Sequence, residues 1–198
     1  MIPLCDRLSE WTGSLPRLLG AERTSPEGRR ALLHAAVART LSLPLDRVLV
    51  EHGEGRPPRV AAPLGSGLYL SSASRGSFAV LGVARAPIGV DVEVATPDLD
   101  IPWGVLHPIE AQTLKDLRGP EQARSFVRLW SIKEAYLKAL GVGFEREPSS
   151  FVVQIDGDRE VFVTDPHSNA AVAAVSTHWR GLPAGWAAVS ALVLARSP

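Results

Sequence analysis

The sequence predicts an α+β fold in which helices pack on antiparallel strands, and three observations carry that reading. Residues 126–140 repeat their apolar side chains at helical period, with Phe126, Trp130, Leu137 and Leu140 on one stripe. Short valine-rich runs such as Ile88-Gly-Val-Asp-Val-Glu-Val94 alternate at the strand period of two. The order of elements is also similar on the two sides of residues 95–104: a helix, then several strands.

A chain of 198 residues is long enough for one large domain or two small ones sharing an interface. With 45% hydrophobic and 21% charged residues, its composition is that of an ordinary globular core. The 21 basic residues balance 21 acidic ones, so no global field recruits nucleic acid or an anionic membrane, and any phosphate binding must come from local clusters. Cys5 is the only cysteine, which excludes an internal disulfide framework and a cysteine-rich zinc site. No signal-peptide pattern opens the chain and no apolar run is long enough to span a bilayer, so a cytoplasmic protein is expected.

Residues 1–24 show no regular pattern, and Trp11 with Leu15-Pro-Arg-Leu-Leu19 is expected to pack as a surface cover. Ser25-Pro-Glu27 then supplies an N-cap, a proline at the first helical position and an acid in the first turn, predicting a helix over 27–41. Leu32, Leu33, Ala36, Val37 and Leu41 form its apolar side. Arg29 and Arg30 lie where cations oppose the helix dipole, as solvated charge or as a place for an anion. Residues 48–51 and 67–72 read as strands, 53–58 as a turn-rich loop, and Ser71-Ser-Ala-Ser-Arg-Gly76 as a polar loop whose hydroxyls and N–H groups suit a phosphate. Residues 78–84 and 88–94 follow as adjacent apolar strands. Residues 108–117 read as a short helix, and Gly119-Pro120 breaks the run. Strands are expected at 151–155, 160–163, 170–175 and 186–194, with a hairpin turn at Asp156-Gly-Asp158. His34, His52, His107, His167 and His178 have no metal-ligand spacing and read as structural or solvated.

Two features exceed what packing requires. Glu134 falls at the edge of the apolar stripe of the 126–140 helix, one turn before Lys138, and Gly141 with Gly143 stops that helix. Lysine occurs only at Lys115, Lys133 and Lys138 in an arginine-rich chain, so a compact ammonium is retained twice beside Glu134. On residues 88–94, alternation puts Gly89, Asp91 and Glu93 on one face and Val90, Val92 and Val94 on the other. Adjacent carboxylates repel unless a cation or proton relieves them, and hard oxygen donors without His or Cys suit Mg²⁺.

Ile88-Gly-Val-Asp-Val-Glu93, followed by Trp130-Ser-Ile-Lys-Glu-Ala-Tyr-Leu-Lys138 and Gly141-Val-Gly-Phe144, resembles the paired signatures of the 4′-phosphopantetheinyl transferases, in particular the larger pseudo-dimeric type that serves peptide and polyketide synthases. The resemblance implies two α+β halves related by a pseudo-twofold axis, residues 1–94 and 105–198 with a linker at 95–104, for which a monomer suffices. It implies Mg²⁺ held by Asp91, Glu93 and Glu134, with coenzyme A as substrate and an acyl or peptidyl carrier protein as partner. Lys138, and Lys133 beside it, would face the phosphates, and Glu134 is also the candidate base for the carrier serine. Arg30 and Arg56 are similar to family residues that reach the nucleotide. Ser74 stands where the family has a histidine for the 3′-phosphate, and Arg75 follows it with a compensating charge. Ile101, Trp103 and Leu106 form either a carrier-docking patch or core. Two alternatives share these residues: a homologue that binds coenzyme A thioesters or carrier protein without transfer, and a different metal-dependent phosphotransferase, although no Walker-type loop is present.

Overall fold

Ser25 starts the first helix in the way its side chain predicts, its Oγ accepting a hydrogen bond from the Gly28 amide at 3.0 Å. The computed structural model describes residues 7–10, 16–22, 24–53, 56–76, 78–96, 98–142, 145–157, 160–168, 171–182 and 185–195. The expectations for Trp11, Leu15, Gly143, Phe144 and Asp158 fall outside them. The elements run β1 (Arg7–Glu10), β2 (Arg17–Glu22), α1 (Pro26–Leu41), β3 (Leu49–Glu51), β4 (Arg59–Ala62), β5 (Tyr69–Arg75), β6 (Phe78–Ala84) and β7 (Ile88–Ala95). Then come α2 (Pro108–Lys115), α3 (Gly119–Leu140), β8 (Val152–Asp156), β9 (Glu160–Thr164), β10 (Ala171–Leu182) and β11 (Gly185–Ala195).

All strand pairs are antiparallel, so the structure is α+β as expected. One sheet has the order β1-β2-β6-β5, a second β10-β11-β7, and β3-β4 and β8-β9 form two hairpins. Among the described residues no helix is long and apolar enough to cross a membrane.

Several elements differ from expectation for physical reasons. Residues 17–22 form a strand rather than an irregular cover, because Leu18, Leu19 and Ala21 are buried where β2 pairs with β6. The polar segment 71–75 is strand β5 rather than a phosphate-cradling loop, its backbone committed to β6 from Ser71↔Gly82 to Arg75↔Phe78. Strands β6 and β7 are not paired neighbours. They stack through their faces, and a Cβ on Gly82 would meet Val90 Cγ1 at 2.8 Å. Strand β7 pairs instead with β11, so hydrogen bonding joins the segment before residue 95 to the last strand. Gly119-Pro120 opens α3 rather than ending a run, since proline in the first turn sacrifices no intrahelical bond.

Helix α3 is the axis of the molecule. Every residue from Ser131 to Leu137 is buried, because the helix lies between the β7–β11 face and the α2–β8 face. Glu134 is therefore 9% exposed rather than at a solvent edge. On the α2 side, Lys133 is completely buried. Its Nζ donates to the carbonyls of Pro148 and Phe151 at 2.8 Å and pairs with Glu110 Oε1 at 2.8 Å. The same Glu110 carboxylate accepts from the His107 and Val153 amides, which closes the N-terminus of α2 and ties it to β8. Lys133 therefore does not reach a ligand: the helix turns it about 100° away from Glu134 and into the core.

Candidate active site

The site forms where β7 meets α3 at minimal separation. Gly89 makes this possible: a Cβ there would lie 1.8 Å from the Ala135 carbonyl oxygen and 2.6 Å from the Ala139 nitrogen. With the helix backbone seated on the strand, the residues that follow Gly89 on the same face, Asp91 and Glu93, come beside Glu134 and Lys138.

Lys138 Nζ donates to Asp91 Oδ1 at 2.7 Å and to the Val90 carbonyl at 3.3 Å. Asp91 Oδ2 is buried and receives no hydrogen bond. From the end of β5, Arg75 Nε donates to Glu93 Oε2 at 2.8 Å, and its Nη2 reaches both oxygens of that carboxylate. Burial raises the pKa of Asp91, with Lys138 and Arg75 opposing the shift. Burial also raises Glu93, against its hydrogen bonds from Arg75. Glu134 is pushed up to about 7, first by burial, with Asp91 and Glu93 adding to the shift and Lys138 opposing it. Two cations thus pair with Asp91 and Glu93, and the buried Asp91 Oδ2 is left without a donor. Among the described residues no group of three or more His, Cys, Asp or Glu side chains is gathered closely enough to hold a metal ion.

Next to these carboxylates lies a cleft of about 400 Å³ lined by polar residues of three elements: Arg29 and Arg30 of α1, Ser72 and Ser74 of β5, and Lys138 of α3, together with His52. Arg56 lines a neighbouring cleft of about 580 Å³ with Glu51, Arg59 and the same His52. The structure thus brings Arg30, Ser74 and Lys138 into one space and puts Arg56 beside it. It adds two residues not expected there. Arg29 was legible only as one of two arginines near a helix start. His52, read as structural or solvated, carries no spacing signal, and only its place directly after β3 brings it to the cleft. Of the other histidines whose side chains are described, His34 Nε2 bonds the Val48 carbonyl at 2.8 Å, His107 caps α2, and His167 is exposed. Ile101 and Leu106 are buried in the core around α3, whereas Trp103 is 37% exposed under Lys115, so the three do not form one surface patch.

Residues 87–189 match the 4′-phosphopantetheinyl transferase superfamily. The 4′-phosphopantetheinyl transferase psf-1 of Bacillus pumilus is 29% identical over 151 residues, which cover 73% of this chain and 64% of that protein. A 4′-phosphopantetheinyl transferase of Bacillus subtilis is 30% identical over 113 residues, covering 57% of this chain and 49% of that protein. The chain therefore spans about half to two thirds of the length of these relatives. Among solved structures, a holo-(acyl-carrier-protein) synthase from Bacillus anthracis, in complex with CoA (3′,5′-ADP), is 21% identical with a TM-score of 0.44, covering 57% of this chain and 97% of that one.

Proposed function

The chain belongs to the 4′-phosphopantetheinyl transferase superfamily, and we propose on that premise that it transfers the 4′-phosphopantetheine group from coenzyme A to a serine of an acyl or peptidyl carrier protein, releasing 3′,5′-ADP. The observation that carries the proposal is the meeting, at Lys138, of a carboxylate cluster with a cation-lined cleft. Such a cleft suits a polyanion, and the hard oxygen donors of the carboxylates beside it suit metal ligation and proton acceptance, which supports the reading.

Asp91, Glu93 and Glu134 are proposed to hold Mg²⁺. Their donor chemistry fits: all are hard oxygens, Asp91 Oδ2 is buried without a partner, and burial disfavours the charge of each carboxylate in the absence of a cation. When bound, the ion would supply charge neutralisation at the pyrophosphate. In the reaction, the carrier serine Oγ attacks the phosphorus that bears the pantetheine arm, and the bridging bond to the 5′-phosphate of 3′,5′-ADP breaks. Glu134, beside Asp91, Glu93 and Lys138 at the edge of the cleft, takes the serine proton, directly or through a water. Lys138 stabilises charge on the departing phosphate from its place between cleft and carboxylates. Arg30, Arg56 and Ser74 provide further contacts for the nucleotide, and residues 1–94 and 105–198 each contribute part of the site.

Incubation of an apo carrier protein with this protein, coenzyme A and Mg²⁺, followed by intact-mass spectrometry, tests the reading. The expected outcome is a phosphopantetheine mass increment that disappears with Glu134→Ala. A panel of carriers left unmodified by the wild-type protein would reject it.

A further inference from the structure

A hydroxyl pair is buried where α3 packs on the sheet through otherwise apolar side chains. Strand alternation on β11 puts Ala188, Ser190 and Leu192 on the face toward α3, and the two apolar ones share a core cluster with Ile132, Ala135 and Tyr136 of the helix. Val189 and Ala191 belong to the cluster on the opposite face. Ser131 and Ser190 are both completely buried, and their Oγ atoms are 2.7 Å apart. Ser131 Oγ donates to the Arg128 carbonyl at 3.0 Å, and with its one proton so used it accepts from the Ser190 hydroxyl. Ser190 is also the register partner of Asp91, so the pair lies on the face of the sheet that carries the carboxylates.

We infer that Ser131 and Ser190 are a positioning pair, which fixes the angle at which α3 crosses β7 and β11 and with it the place of Glu134 relative to Asp91. This inference rests on the carboxylate site and the transferase reading above. Helix α3 meets β7 closely at Gly89, where the main chain of Ala135 and Ala139 leaves no room for a Cβ. One close contact sets the separation of helix and strand but lets the helix pivot about it. Ser131 lies one turn before Ala135, roughly 6 Å along the helix axis, and bonds to the neighbouring strand β11. Glu134 falls between these two anchors, three residues after Ser131 and one before Ala135. Lys138 also links α3 to Asp91, but through a long flexible stem that follows a displaced helix. A serine oxygen sits one carbon from the backbone, so its bond is lost on a small displacement. The apolar neighbours pack without direction, and a hydroxyl parted from its partner among them is costly. The pair thus penalises the pivoting that apolar packing alone tolerates.

Manganese titration of the full chain followed by electron paramagnetic resonance, with steady-state transfer kinetics and thermal melting alongside, tests this. Ser190→Ala removes the donor of the pair and leaves Ser131 bonded to the Arg128 carbonyl, so the variant folds, which its melting curve verifies. Per folded molecule it should bind Mn²⁺ about three- to tenfold more weakly and lose about tenfold in kcat, with KM for coenzyme A within about twofold of wild type. The double variant Ser131→Ala/Ser190→Ala should lose no more than Ser190→Ala, because both serines act through one bond. A lower melting temperature with unchanged Mn²⁺ affinity and kcat makes the serines ordinary core packing and overturns the inference. Losses that multiply in the double variant overturn it as well. A wild type that binds Mn²⁺ but transfers nothing rejects the transferase reading alone, and the manganese comparison still decides the role of the pair. A wild type that binds no Mn²⁺ overturns both the carboxylate site and the positioning pair.

Discussion

Arg75 holds the Glu93 carboxylate that the proposed Mg²⁺ also requires, and the two cations compete for one pair of oxygens. The arginine side chain is 55% exposed, so solvent screens the pair and its net worth is about 1 kcal/mol. Arg75→Ala should therefore raise the affinity for Mn²⁺ or Mg²⁺ in the absence of substrate by roughly fivefold. Manganese titration followed by electron paramagnetic resonance measures this directly; an unchanged or weaker affinity would show that the arginine is not a competitor. The carboxylates of this site were legible in the sequence because alternation along a strand and the i, i+4 spacing on a helix are local rules that bring them to defined faces. The fates of the lysines were not. Lys133 and Lys138 lie five positions apart on one helix, yet Lys133 is buried against Glu110 and Phe151 whereas Lys138 reaches Asp91 and the cleft. Which face meets α2 and which meets β7 depends on tertiary packing that no spacing records. His52 was missed for the same reason, since its neighbours Arg29 and Arg30 are remote in sequence.

Helix α3 can present Glu134 and Lys138 to β7 only because its backbone lies against Gly89, closer than any side chain permits. The atoms in the way are main-chain atoms of Ala135 and Ala139, which cannot rotate aside, so relief requires moving the whole helix. Gly89→Ala should cost about 3 kcal/mol or more, beyond an ordinary overpacking penalty. Urea unfolding of the variant measures it, and a loss below about 1 kcal/mol would mean that helix and strand are not seated together as described. Elements with local start signals were read correctly from sequence: α1 begins at the Ser25 cap, and α3 ends at Gly141 in the left-handed conformation. Elements defined by their partners were not. Strand β2 exists because β6 is beside it, β5 takes in the polar Ser71–Arg75 segment for the same reason, and β10 continues to Leu182 on the support of β11. Gly119-Pro120 shows the related ambiguity of punctuation, because the same pair that can stop one helix can start the next.

Across the molecule, charge that sums to zero is divided between groups held at opposite costs. The carboxylates around Glu134 are raised by burial, whereas Asp165 is stabilised within the fold itself. The Tyr136 hydroxyl donates to Asp165 Oδ2 at 2.7 Å, Arg146 pairs with Oδ1, and the Asp165 side chain is 2% exposed. Burial would raise this carboxyl, but the hydrogen bonds from Arg146 and Tyr136 outweigh it and hold the pKa below the usual 3.8. The same pocket acts oppositely on the phenol, raising Tyr136 from 10 to about 12 through burial and then through Asp165. The signs follow from proton counting. A depressed carboxyl contributes stability that is present above its unfolded pKa and is lost as pH falls through the folded value. A raised phenol contributes stability that is present below about pH 10 and is lost as pH rises from 10 toward 12. One cluster therefore steepens both limbs of the stability profile. Asp165→Asn should lower stability near neutral pH by about 1.5–3 kcal/mol, the worth of hydrogen bonds to a charged partner. It should also flatten the decline below pH 4. Tyr136→Phe should flatten the decline between pH 10 and 12, apart from a constant offset for the lost hydroxyl bond. Thermal unfolding of both variants across the pH range separates the limbs, and an acid limb unchanged in Asp165→Asn would assign acid sensitivity to other carboxylates.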